Sequence, residues 1–208
     1  LDLPRFVDRG QVTRDTLENP NAKILEINSK TGLYPLYVAY SIYRTKSNIT
    51  KDELSYKEEK KLWNDTIEKN VYVICKTPMA KQITKRTLIG FENTKVNAHY
   101  FDDLINQMKN KPQQLIDRVL KPSFWKKDGV KMKFDAVVGN PPYQEEIAKY
   151  VSEQNGQARR RSIFQYFQVA SDELSSEAVS LIYPGARWIH RSGKGMAEFG
   201  LKQINKYS

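Results

Sequence analysis

The chain is 208 residues and 24.2 kDa, room for one ordinary domain or one domain with a small appendage. Thirty-four Lys plus Arg against 24 Asp plus Glu leave a net charge of +10, and 39% apolar residues are enough for a packed core. No run of about 18 apolar residues exists, which excludes a spanning helix from the expectations. Cys75 is the only cysteine, so no internal disulfide can form, and two histidines leave no His/Cys cluster for zinc or another metal. The positive surplus points to a polyanion, nucleic acid first.

Residues 1–21 read as a polar, turn-rich N-terminal segment contacting the core. Ala22-Lys23-Ile24-Leu25-Glu26-Ile27 reads as a buried strand, closed by a tight turn at Asn28-Ser29-Lys30-Thr31-Gly32. Apolar spacing then predicts a helix from Leu33 to Arg44, with Pro35 in its first turn. Residues 45–69 are charged and helix-prone, a solvated excursion with Leu54, Leu62, Trp63 and Ile67 as candidate inward anchors.

Val71 to Cys75 is the second predicted strand and Pro78 to Leu88 its helix. Val96 to Phe101 reads as a third strand ending at Asp102-Asp103, and Gln113 to Leu120 as a further helix. A fourth strand, Phe134 to Gly139, stops abruptly at Asn140-Pro141-Pro142-Tyr143. Residues 144–161 lack an apolar period and carry Arg159-Arg160-Arg161, which reads as a loop or partly formed helix. Ile163 to Leu174 is helical in pattern, and Ala178 to Tyr183 is a fifth strand. Strands alternating with helices predict an α/β, doubly wound, mostly parallel sheet, with ligands beyond the carboxyl ends of its strands.

Asn140-Pro141-Pro142-Tyr143 falls at such an end. Two prolines alone can simply end a strand in a turn. Yet at roughly 5% usage per residue type, this quartet arises by chance in on the order of one chain per thousand of this length, so its placement carries weight. Its chemistry is specific. An exocyclic amine on a planar heterocycle is a poor nucleophile, because its lone pair is delocalised into the ring. The Asn140 side-chain oxygen and the Pro141 carbonyl can accept its two N–H bonds and favour the pyramidal nitrogen that develops during attack. The prolines stiffen the carbonyls, and the Tyr143 ring offers a stacking face.

FDAVVGNPPYQ resembles the catalytic motif of S-adenosylmethionine-dependent amino-methyltransferases, above all the adenine-specific DNA methylases of restriction–modification systems. The resemblance implies a Rossmann-like methyltransferase fold over residues 22–190, with 191–208 beginning a continuation or forming a tail. It implies that Asn140, Pro141, Pro142 and Tyr143 are catalytic and that the cofactor is S-adenosylmethionine. AKILEINSKTG stands in the place of the family's cofactor motif, so Glu26 would contact the methionine amino group, with Asn28 and Gly32 completing the turn. Asp102 corresponds to the acidic residue near the cofactor adenine. VSLIYPGARW and IFQYFQVA resemble the fifth-strand segment and the helix before it, in which Phe164, Tyr166 and Phe167 either line the target pocket or are core. Arg9-Gly10-Gln11-Val12-Thr13 is a loose match to an N-terminal cofactor-contacting segment.

The sequence departs from the family twice. The first motif carries less glycine than usual, and no acid follows the second strand to bind ribose hydroxyls. Cys75, Lys76 and Thr77 stand there instead, with Thr77 or a backbone carbonyl as substitute.

The quartet names a nitrogen and not its owner. The charge, the basic residues from Lys121 to Lys133, and the arginine triplet favour double-stranded DNA. Lys126, Lys127, Arg159, Arg160 and Arg161 are the candidate phosphate contacts, and the target adenine must flip out of the stack. The expected protein is the catalytic part of a cytoplasmic, site-specific DNA adenine-N6 methyltransferase, with target recognition supplied by a domain or subunit outside this chain. Two alternatives stand beside it: a catalytically weakened nucleic-acid-binding module of the same fold, and an RNA or protein-glutamine methyltransferase.

Overall fold

A computed structural model describes residues 16–50, 53–144, 162–182 and 199–200. Its centre is a five-stranded sheet built from β1 (Ile24–Ser29), β2 (Val71–Cys75), β3 (Asn97–Tyr100), β4 (Phe134–Gly139) and β5 (Ser175–Leu181). The order is β3-β2-β1-β4-β5, and every pairing is parallel. The chain winds outward from β1 to β3, then returns to build β4 and β5 on the other side. The resulting switch point lies between β1 and β4, the crevice where such sheets hold ligands.

Three helices cover one face: α1 (Leu33–Thr50), α2 (Tyr56–Asn70) and α3 (Pro78–Ile89). Val38, Ala39, Ile42, Ile67, Ala80 and Leu88 from these helices meet Ile24, Val71, Val73 and Ala136 of the sheet. The opposite face is covered by α4 (Leu104–Asn110), α5 (Pro112–Val119) and α6 (Phe164–Leu174). Their Met108, Leu115, Ile116, Phe167 and Ala170 pack on Leu25, Ile27, Ile74 and Val137. All six residues of β1 and all five of β2 are buried, as expected of central strands covered on both faces.

Local chemistry fixes the helix starts. At α2, the Glu58 carboxylate accepts the Ser55 backbone N–H at 2.9 Å. At α3, the Thr77 hydroxyl oxygen accepts the Ala80 N–H at 3.0 Å, and Pro78 takes the first helical position.

The predicted α/β, doubly wound, parallel architecture is the one observed. The second and fourth strands have the predicted limits, and the differences lie elsewhere. The first strand is shifted toward the carboxyl end, because Asn28 and Ser29 are buried strand residues and not part of the predicted tight turn. The charged region after Arg44 is less solvated than its composition suggested. There α1 runs on to Thr50, Ile67 is fully buried, and the Trp63 indole donates to the Leu88 carbonyl at 3.0 Å. The fifth strand starts at Ser175, whose polar side chains suit the sheet edge. Helix α4 and the 3-10 turn Pro122–Trp125 were not anticipated, since each is too short to show a period. That turn buries Trp125, whose Nε1 donates to the Val119 carbonyl at 2.7 Å.

Candidate active site at the sheet switch point

β1 and β4 run side by side with Ile27 opposite Gly139, so both chains emerge together at the switch point. Glycine is required there. A Cβ at residue 139 would lie 2.4 Å from the Ile27 carbonyl oxygen. The fourth strand thus delivers Asn140 directly beside the end of β1.

Three hydrogen bonds hold the end of β4 and the Asn140–Tyr143 turn. The Ile182 N–H donates to the Gly139 carbonyl at 2.9 Å, and the Ile163 N–H to the Tyr143 carbonyl at 3.2 Å. The Asn28 Nδ2 donates to the Asn140 carbonyl at 3.1 Å. Asn28 has φ of 67°, a left-handed conformation that asparagine tolerates better than most residues. Pro141 is buried, Asn140 is half-buried and the Tyr143 ring is exposed. Among the described residues, neither the Asn140 side-chain amide nor the Pro141 carbonyl is engaged by another protein group. The turn is pinned through its neighbouring carbonyls, while the two acceptors named from the sequence stay free for a ligand.

Glu26 lies within β1 and is almost completely buried. Burial raises its pKa to about 8, with a Ser29 hydrogen bond pulling the other way. Its Oε2 has no hydrogen-bond partner among the described residues. An unsatisfied buried carboxylate oxygen is costly in a purely structural residue, and is what a cationic ligand group would pair with.

Gly32 closes the following turn at φ of 79°, and a Cβ there would meet the Thr84 Cα of α3 at 2.9 Å. Ser29 and Thr87 tie the same turn to α3. Ser29 Oγ lies 3.2 Å from Thr84 Oγ1, and the Thr87 hydroxyl donates to the Thr31 carbonyl at 2.7 Å. The turn therefore stays tight with few glycines because α3 clamps it.

The structure brings Glu26, Asn28 and Asn140–Tyr143 together and also recruits Tyr34, absent from the sequence-derived set. Tyr34 lies in the first turn of α1. Burial, then the nearby Glu26 and Tyr143, raise its phenol above the ordinary value, so it lies within Coulomb range of both. Its only sequence signal is an aromatic residue two positions after the turn glycine.

The remaining candidates are placed less centrally. Thr77 uses its oxygen as the α3 cap. Cys75 ends β2 and is buried, its thiol pushed up to about 12 by burial, and no carboxylate stands among Cys75, Lys76 and Thr77. Asp102 follows β3 with an exposed side chain, and its carbonyl accepts from Gln107 at 2.5 Å. Phe164 and Phe167 are fully buried core, and Tyr166 is partly buried against it. Lys127 sits away from the turn, bonded to the Glu68 carbonyl and paired with its carboxylate at 3.3 Å near the amino ends of β2 and β3. Lys126 is exposed beside β3, its carbonyl accepting from Lys95. Arg159, Arg160 and Arg161 lie outside the described residues, as do Arg9 to Thr13.

Residues 69–208 match the family model described as Eco57I restriction-modification methylase. This chain belongs to that family. The match takes in β2 through β5 and the Asn140–Tyr143 turn, so the turn at the switch point is part of a restriction–modification methylase acting on DNA. It starts beyond β1 and does not include Glu26, Asn28 and Gly32. No curated protein matches the chain. No helix among the described residues is long and apolar enough to cross a membrane.

Proposed function

We propose that the chain is the catalytic part of a site-specific DNA adenine-N6 methyltransferase that uses S-adenosylmethionine. One observation carries the reading: the side-chain amide of Asn140 and the carbonyl of Pro141 are unengaged among the described residues, within a turn held through its Asn140 and Tyr143 carbonyls. The cofactor supplies an electrophilic methyl group on a sulfonium. The two acceptors take the N–H bonds of the adenine amino group and so favour the localised lone pair over the delocalised one. Tyr143, 38% exposed, offers its ring to the flipped base.

The buried, unpartnered Oε2 of Glu26 fits the cationic amino group of the cofactor's methionine, and the clamped turn at Gly32 fits its close approach. Thr77 and Asp102 are the groups available toward ribose and adenine. Arg159, Arg160 and Arg161 serve as phosphate contacts, and a recognition domain or subunit outside these residues chooses the sequence.

A second reading, a nucleic-acid-binding module without turnover, is favoured by the end of β2, where Cys75 is buried and Thr77 serves as a helix cap. Calorimetry with S-adenosylmethionine separates the two, since an absence of binding at millimolar cofactor eliminates the first. The decisive experiment is transfer of labelled methyl to duplex DNA with identification of the product nucleoside. N6-methyladenine is expected. Label found only in RNA or in protein glutamine overturns the proposal.

A further inference from the structure

The edge of the sheet at β3 carries a cationic band that the catalytic turn does not explain. Lys81 and Lys85 of α3 stand on one side, and Arg118 of α5 with Lys121 on the other. Lys126 lies between them, beside the strand. None of the five has a carboxylate partner among the described residues, whereas neighbouring Lys95 and Lys127 both pair with Glu68. Their charges converge. Burial first, and then Lys81, Lys126, Arg118 and Lys85, lower the pKa of His99 in β3 to about 4.

The band is structured as well as charged. The Arg118 guanidinium carbon sits 5.2 Å from the Phe101 ring centre and 5.4 Å from that of Phe124, and the two rings stack at 5.5 Å. Such stacking holds a planar guanidinium in place while its N–H donors stay free for a two-pronged acceptor. Arg118 and Phe124 also line an open groove of about 600 Å³ with Gln114, Asp117, Lys121 and Ser123. The one acid of that groove, Asp117, accepts a hydrogen bond from Gln113 at 2.9 Å.

We infer that the β3 edge, through Arg118, Lys121 and Lys126 with Lys81 and Lys85, holds the phosphodiester backbone of duplex DNA flanking the target adenine. The inference rests on the DNA reading of the switch-point site and adds a second contact region to it. Strands about 4.8 Å apart put β3 about 14 Å from β4, the rise of about four base pairs. A duplex delivering its base to Asn140 can therefore reach the band with its flank. Phosphate contact of this kind positions the duplex without reading its sequence.

The test is titration of the protein with a fluorescent 24-base-pair duplex between 50 and 200 mM salt. The double variant Arg118→Gln, Lys121→Gln is expected to make the slope of log K against log salt shallower by about 1.8, from about 0.9 per phosphate contact. Lys57→Gln with Lys61→Gln, an equal charge loss on α2, is expected to change it by less than about 0.5 on the same scale. Arg118→Lys keeps the charge and is expected to retain most of the slope, which separates lost contact from lost packing. Equal slopes for the two double variants, or no duplex binding by the parent protein, overturn the inference. A slope difference without methyl transfer to DNA supports the band while overturning the catalytic proposal.

Discussion

Asn28 and Asn140 are 112 positions apart, yet the side-chain amide of the first donates to the backbone carbonyl of the second at 3.1 Å. This bond crosses the switch point, joining the end of β1 to the turn after β4. It makes the conformation of the Asn140–Tyr143 turn depend on a residue at the end of β1. Asn28→Gly keeps the left-handed backbone and deletes only the bond. It is expected to cost about 1 kcal/mol of stability and to slow single-turnover methyl transfer about tenfold, through loss of positioning. Asn28→Ala adds the strain of a left-handed alanine, about 1 kcal/mol more. Unchanged single-turnover rates in Asn28→Gly would show that the turn needs no such tie.

Gly139→Ala tests the close approach of β1 and β4. The added Cβ would sit 2.4 Å from the Ile27 carbonyl oxygen and 3.2 Å from the Ile27 Cγ2. Backbone has to move, so a loss of about 3 kcal/mol is expected. For a chain of this length that corresponds to a fall in Tm of about 6–12 °C. Calorimetric melting measures it, and a Tm within about 2 °C of the parent, under 1 kcal/mol on that scale, refutes the clash.

Asn140→Ala removes one of the two proposed acceptors for the amino group. Loss of a positioned hydrogen-bonding group acting mainly in the transition state costs about 10²- to 10³-fold in kcat. Cofactor affinity should stay within about twofold, because this group acts on the base and not on the methyl donor. Calorimetry alongside single-turnover transfer reads both. A variant with near-normal rates removes Asn140 from the mechanism.

Glu26 predicts a pH signature with a definite sign. Its folded pKa is about 8 against an ordinary value of 4.5. Below about pH 4.5 both folded and unfolded states carry the proton and no penalty arises. As pH rises the unfolded chain ionises first, so stability falls through the interval up to about 8. Glu26→Gln removes this contribution, and its Tm should decline less than the parent's between pH 5 and 8. The cofactor's ammonium pairs with the ionised form, so cofactor affinity in the parent should rise with pH toward 8. A parallel pH dependence of Tm in parent and variant rejects the buried carboxyl as its source.

The hydrophobic strands and the Asn140–Tyr143 quartet were legible because each is a local pattern. Val71–Cys75 and Phe134–Gly139 are short apolar runs that can be buried only inside a covered sheet. The quartet stands out through residue types alone. Asn28 and Ser29 misled because polar residues shortly before a glycine usually mark a turn, and here they are buried at the end of β1. Gly139 carried little signal, since its importance lies in its close approach to Ile27, a distant position in the chain. For the lysines, composition gave a total and not an arrangement. Lys127 is paired with Glu68, whereas Arg118 lies against two aromatic rings contributed by other segments.

Sequence alone thus determined the parallel α/β class and placed the Asn140–Tyr143 quartet at a strand end, both of which depend on neighbours in the chain. Tertiary structure decided which oxygens remain free among the described residues, which carboxyl group is held in the interior, and where positive charge gathers. Those properties arise where β1 meets β4 and where α5 meets β3, from groups that only folding brings within hydrogen-bonding or Coulomb range.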